Sequence, residues 1–157
     1  MKLLTFPDIK NIAFNNNKPL IVCDADEVIF DFMNCFESYL NSQQLHFSWS
    51  SYALDGNIID DKKQAVSKDV INNIINDFFM KNTVNMKLVE GAKNSLKILS
   101  KNFHIIILSN IPFQFYQKRK VALDNHKLNY PFFANKGPKG KTVKYLSSFF
   151  KSDIWFI

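Results

Sequence analysis

The sequence predicts an α/β fold, a parallel sheet flanked by helices, on three observations. The apolar run Leu20-Ile21-Val22-Cys23 stops abruptly at Asp24-Ala25-Asp26, and the run His104-Ile105-Ile106-Ile107-Leu108 stops at Ser109-Asn110. A further run, Ile154-Trp155-Phe156-Ile157, comes last. Uninterrupted apolar runs bounded by polar residues are how strands buried on both faces of a parallel sheet read. Helical patterns separate them, and strands alternating with helices argue for right-handed crossover units.

Taken in order, residues from Pro7 to about Phe14 read as a short helix leading into the polar run Asn15-Asn16-Asn17. The strand over Leu20 to Cys23 comes next. Phe32, Met33, Phe36, Tyr39 and Leu40 then recur at helical spacing, which predicts a helix from near Ile29 to Ser42. The stretch from Gln43 to Met86 carries no strand signal; Gly56-Asn57 and Asp60-Asp61 mark turns. Within it Val70, Ile71, Ile74, Ile75, Phe78 and Phe79 form a broad apolar helical stripe, which by default packs against a core. From Gly91 the pattern is regular again. Ala92, Leu96 and Leu99 predict a helix, Ile105 to Leu108 a strand, Phe113 to about Asn125 a helix, and Tyr130 to Ala134 a short strand. A helix over Lys139 to Phe150 and a strand over Ile154 to Ile157 complete the pattern.

The chain of 157 residues is long enough to bury a proper core as one domain, and 46% hydrophobic content with 16 Phe excludes a disordered chain. Cys23 and Cys35 form no CxxC or metal-like cluster and read as small buried hydrophobes in a reducing compartment. Pro7 and Asp8 break the N-terminal segment before it reaches signal-peptide length, and no run approaches the roughly 18 apolar residues of a membrane span. A soluble, cytoplasmic protein without a membrane partner is the expectation. His46, His104 and His126 are scattered and read as structural.

The net charge of +6 is uneven. Lys118, Arg119, Lys120, Lys127, Lys136, Lys139, Lys141, Lys144 and Lys151 all fall in the C-terminal third. Three readings stand: a field steering anionic substrates, a nucleic-acid surface, or a solvated basic face.

Open α/β sheets place ligands at the carboxyl ends of their strands, so Asp24 and Asp26 would sit where chemistry is done. On spacing alone, Asp-x-Asp is equally a turn or a helix cap, and Ser109 equally an N-cap for the following helix. Gly140-Lys141-Thr142 resembles the tail of a phosphate-binding loop, but Asn135 stands where that motif needs glycine.

Carboxylate pair, then hydroxyl, then lysine, each at the edge of a buried strand or the start of a helix, resembles the haloacid dehalogenase-like (HAD) hydrolase superfamily. Its first motif is matched by Ile21-Val22-Cys23-Asp24-Ala25-Asp26-Glu27-Val28, its second by Ile105 to Ser109. Its lysine is best matched by Lys139, with Lys136 and Lys141 as rivals. The likeness covers nearly the whole chain from Leu20. The fourth motif, a strand followed by one or two acids, is the departure: the strand is present and the chain stops at Ile157 before an acid, as a truncated chain would. Asp24 to Phe32 further resembles the deoxyribonucleotidase branch.

The resemblance implies a HAD-like Rossmann-type core over residues 1–42 and 87–157, with a small helical cap over 43–86 inserted after the first strand. It implies a magnesium-dependent phosphatase hydrolysing a small phosphomonoester, with nucleoside monophosphates first among substrates. Asp24 would be the nucleophile and Asp26 the general acid and then base. Asp24 and Asp26 would hold Mg2+, Asp26 through its backbone carbonyl. Ser109, Asn110 and Lys139 would bind the phosphoryl group. Asp26 sets this apart from dehalogenases and phosphonatases, which lack the second acid. A response-regulator receiver fits less well, since helices stand where its phosphoacceptor strand would be. The main alternative is a degenerate, non-catalytic HAD-fold protein whose basic C-terminal third holds a nucleotide or RNA; for the enzyme itself a nucleic-acid partner is disfavoured.

Overall fold

The computed structural model describes residues 12, 14, 18–150 and 153–157. The helix expected over Pro7 to Phe14 and the run Asn15 to Asn17 fall almost wholly outside the described residues, as does Lys151. In chain order the elements are β1 (Leu20–Cys23), α1 (Phe32–Ser42), β2 (Leu45–Phe47), β3 (Ile58–Asp60), α2 (Lys68–Asn82) and α3 (Ala92–Leu99). There follow β4 (His104–Ser109), α4 (Tyr116–Asn125), β5 (Phe132–Ala134), α5 (Gly140–Ser147) and β6 (Ile154–Phe156). β5-β4-β1-β6 form a parallel four-stranded sheet flanked by helices, a Rossmann-like α/β arrangement.

The period of two along a strand explains why these runs are apolar throughout. Ile21 and Cys23 of β1, Ile105 and Ile107 of β4, and Phe132 and Ala134 of β5 join the larger core with Phe36, Phe78, Leu96 and Leu123 from α1 to α4. The intervening Leu20, Val22, Ile106, Leu108 and Phe133 enter a second core closed by Leu146 of α5 and Phe150. Both faces of the sheet are therefore covered, and a polar residue would be costly on either. The edge strand β6 is less protected: Trp155 and Phe156 are 58% and 48% exposed.

The register Cys23↔Ile107 and Ser109↔Ala134 brings the carboxyl ends of β1, β4 and β5 to one edge. Beyond Cys23 the chain closes a tight loop. The N–H groups of Ile29 and Phe30 both donate to the Ala25 carbonyl (2.9 and 2.8 Å), and Glu27 N–H donates to the Phe30 carbonyl (2.9 Å). This loop delays α1 to Phe32 instead of the expected Ile29, because backbone groups paired in the loop cannot also form a helical turn.

The stretch 43–86 differs from its strandless, helical expectation. β2 and β3 form an antiparallel hairpin with Phe47 opposite Ile58. Strands of three residues are too short to display alternation, so the sequence pattern could not reveal them. Their connection is held by Asn57, 5% exposed, whose amide donates to Ser51 Oγ and the Ala53 carbonyl (both 2.8 Å) and accepts from Ser50 Oγ. The predicted stripe lies on α2, where Ile71, Ile74, Phe78 and Phe79 are buried; Val70, expected in it, is 42% exposed. Phe78 meets Phe32, Phe36 and Tyr39 at ring distances of 5.3, 5.0 and 5.5 Å, pinning α2 to α1. Tyr39 adds a polar tie, its hydroxyl donating to Asp77 Oδ2 at 2.5 Å. Among the described residues no helix is long and apolar enough to cross a membrane.

Candidate functional site

Asp24 and Asp26 emerge at the carboxyl edge of the sheet, and each meets a cation from a different segment, Lys139 just before α5 and Arg119 on α4. Asp24 N–H donates to the Ile157 carbonyl (2.7 Å), which anchors the backbone beside β6. Its Oδ1 accepts from Ala25 N–H (2.6 Å) and its Oδ2 from Lys139 Nζ (2.5 Å). The two side chains are 24% and 16% exposed, so the pair is half-buried yet reachable from solvent.

The loop preceding α5 delivers that lysine. Asn135, 6% exposed, donates from Nδ2 to the Gly137 carbonyl (2.8 Å) and to Asn110 Oδ1 (2.7 Å), while its Oδ1 accepts from Thr142 Oγ1 (2.7 Å). Gly137 turns at φ +79°, a conformation open to glycine without a β-carbon penalty. Of the three rival lysines, Lys139 reaches Asp24, whereas Lys136 and Lys141 are exposed. Asn135, the residue that spoils the phosphate-loop pattern, is the pin of this segment.

Asp26 faces the other way. Its Oδ1 accepts from Arg119 Nη2 at 2.6 Å, and its Oδ2 lies 3.4 Å from Ser109 Oγ. Ser109 is fully buried and its Oγ also accepts the Ile111 N–H (3.3 Å), a bond within the turn that follows β4. Arg119 on α4 has no exposed surface. Its guanidinium lies 4.5 Å from the centroid of the Phe30 ring and donates weakly to Met86 Sδ (3.8 Å). Among the described residues its Nε is a buried polar atom with no hydrogen-bond partner. The sequence places Arg119 in a basic run; among the described residues it is instead a charged side chain with no exposed surface. Lys120 of the same run pairs with Asp124 along α4.

Glu27 is a second residue whose role the sequence hid. It has φ +63°, the left-handed region that a side chain normally avoids, and its Oε1 accepts the N–H of Met33 in the first turn of α1 (2.7 Å). Asp31, in the N-cap position, makes no such bond. Glu27 therefore caps α1 from within the loop that presents Asp26.

Cys23 lies immediately before Asp24. Burial, and second the Asp24 carboxylate, push its thiol up to about 12, so it remains a neutral thiol and is no nucleophile near neutral pH. Asn110, Ile111, Phe113 and Asn135 help line a cleft of about 300 Å³ beside this edge, with Phe113 53% exposed. The histidines stand apart: His46 contacts Asn41 and Asp61, His104 packs on Phe14, and His126 Nε2 lies 3.1 Å from the Met86 carbonyl.

Among the described residues no three His, Cys, Asp or Glu side chains converge on one point. The donors present suit a hard cation held lightly: Mg2+ takes oxygen ligands, commonly one or two carboxylates completed by water and substrate phosphate. The Asp24 carboxylate and the Asp26 carbonyl are oxygens of that type on one short loop. No protein-family model and no curated protein matches this sequence.

Proposed function

We propose that this protein is a magnesium-dependent phosphatase of the HAD-like type, hydrolysing a small phosphomonoester through an aspartyl-phosphate on Asp24. The supporting observation is the Asp24–Lys139 contact at the carboxyl edge of a parallel sheet, with Ser109 and Asp26 beside it. A carboxylate attacks a phosphoryl group only when cations screen the repulsion between two anions. Lys139 supplies one such charge. Asp24 and the Asp26 carbonyl would hold Mg2+, which contributes further charge neutralisation and orients the phosphate.

In the first step an Asp24 oxygen forms a bond to phosphorus while the bond to the leaving oxygen breaks; Asp26 hands that oxygen a proton. In the second step water attacks phosphorus, Asp26 takes its proton, and the bond to Asp24 breaks to release inorganic phosphate. Ser109 and Asn110 bind the phosphoryl oxygens. The insert over residues 43–86 would act as the cap, and nucleoside monophosphates rank first among substrates on the local likeness around Asp24. A small phosphorylated substrate, rather than nucleic acid or a membrane, is the partner, and a cytoplasmic location accompanies this reading.

A second reading has its own observation. Both acids already hold a cationic side chain, Lys139 or Arg119, as a non-catalytic binding protein of the same fold would. Phosphate release from p-nitrophenyl phosphate separates the two. The enzyme reading expects turnover that requires Mg2+ and falls by about 10³-fold or more in Asp24→Asn, as loss of an attacking group does. Equal rates in the wild type and the variant would refute it.

A further inference from the structure

The buried guanidinium of Arg119 is poorly explained by stability. Among the described residues its Nε is unpartnered, its Nη1 finds only a thioether sulfur, and it rests on Phe30. Apolar residues of similar volume commonly serve such positions as well or better, because a buried charge carries a large desolvation cost. Its one strong contact is to Asp26 Oδ1. Phe30 and Met86 flank the group, and its side chain has no exposed surface.

Asp26, by contrast, sits on a loop with a quarter of its side chain exposed and two rotatable bonds. A proton donor must come within about 2.6–3.2 Å of its target, and misplacement of about 1 Å loses most of the benefit. With Oδ1 tethered to Arg119, Oδ2, which accepts from buried Ser109 Oγ at 3.4 Å, is the oxygen left to serve substrate.

We propose that Arg119 is a positioning residue, which fixes the Asp26 carboxyl group so that Oδ2 serves the leaving oxygen of the phosphoester. This rests on the phosphatase reading above. It carries a signature that a purely structural arginine lacks: the loss on substitution depends on the leaving group. p-Nitrophenolate departs without a proton, whereas phenolate, similar in shape and a poorer leaving group, benefits from one.

The experiment compares kcat/KM for phenyl phosphate and p-nitrophenyl phosphate with Mg2+, since kcat/KM reports steps through departure of the leaving group. Arg119→Met and Asp26→Asn are each expected to lose about 100-fold on phenyl phosphate and under about 10-fold on p-nitrophenyl phosphate, the range of general-acid assistance. The double variant is expected to be no slower than Asp26→Asn alone, because Arg119 acts through Asp26. Equal losses on both substrates, or additive losses in the double variant, overturn the proposal while leaving an Asp24-dependent phosphatase intact. If Arg119→Met does not fold by circular dichroism, Arg119→Lys carries the test. Its shorter, single-headed cation should reproduce the selective loss on phenyl phosphate, and wild-type rates on both substrates overturn the inference. A wild type inactive on both substrates overturns the phosphatase reading and this inference with it.

Discussion

Glu27 offers the sharpest test of how the Asp24 loop is built, because two opposing terms meet in one side chain. Its carboxylate caps α1 by accepting the Met33 N–H, and its backbone sits at φ +63°. Losing a capping acceptor costs about 0.5–2 kcal/mol, and losing an anion near a helix N-terminus about 0.3–1 kcal/mol more. Glu27→Ala gives up both and keeps the left-handed strain, so it should destabilise by about 1–3 kcal/mol. Glu27→Gly loses the same cap but removes a steric penalty of about 1–2 kcal/mol. Against this, the freer unfolded chain returns about 0.4–1 kcal/mol. Glycine should therefore be the milder change, by up to about 1.5 kcal/mol. At roughly 2–4 °C per kcal/mol for a chain of this size, alanine should lower Tm by about 2–12 °C and glycine by less. Differential scanning calorimetry and urea melts of the three proteins supply the comparison. An alanine variant more stable than the glycine variant would show that the left-handed strain is smaller than the about 0.4–1 kcal/mol by which glycine frees the unfolded chain. A wild-type melting temperature in both would show that the cap contributes nothing.

Two further outcomes follow from the same packing logic. Phe78→Ala, emptying a fully buried site shared by four aromatic neighbours, should cost about 3–5 kcal/mol in urea unfolding; a loss under about 1 kcal/mol would mean that α2 packs loosely on α1. The Cys23 thiol is raised in the folded state from 9.0 to about 12, chiefly by burial, so its contribution is complete below pH 9 and is lost as pH rises from 9 towards 12. Cys23→Ala should flatten part of that alkaline decline, after allowing for Tyr39, whose phenol is also raised to about 12 by burial and then by Asp77; an unchanged slope would refute the assignment.

Much of this molecule was legible before any fold was known, and what was legible is local. Four-residue and longer apolar runs at Leu20 and His104 are strands because their side chains must satisfy two apolar faces at once. Helical spacing at Phe32 to Leu40 and at Ile71 to Phe79 likewise marks the turn-by-turn burial of one face. The acids and the hydroxyl mark the carboxyl ends of their strands, where the apolar runs give way to polar groups that find partners, as buried Ser109 does in Asp26. The hairpin of β2 and β3 escaped because three residues show no period.

Other features belong to the tertiary structure alone. Three lysines in one loop were equivalent as letters; pinning by Asn135 and the placement of α5 bring Lys139 to Asp24. Arg119 read as one more surface cation in a basic run, yet α4 turns it inward over 93 residues of chain separation to meet Asp26. No window of sequence contains both partners of that contact, and a charge is identical in print whether hydrated or enclosed. Glu27 similarly looked like part of a motif, and its φ is imposed by hydrogen bonds converging on Ala25. Composition and periodicity thus determined which segments are buried, because burial is a property each segment carries in its own apolar pattern. Which charges face each other was decided by packing, because an ion pair exists only after the chain has brought distant segments together.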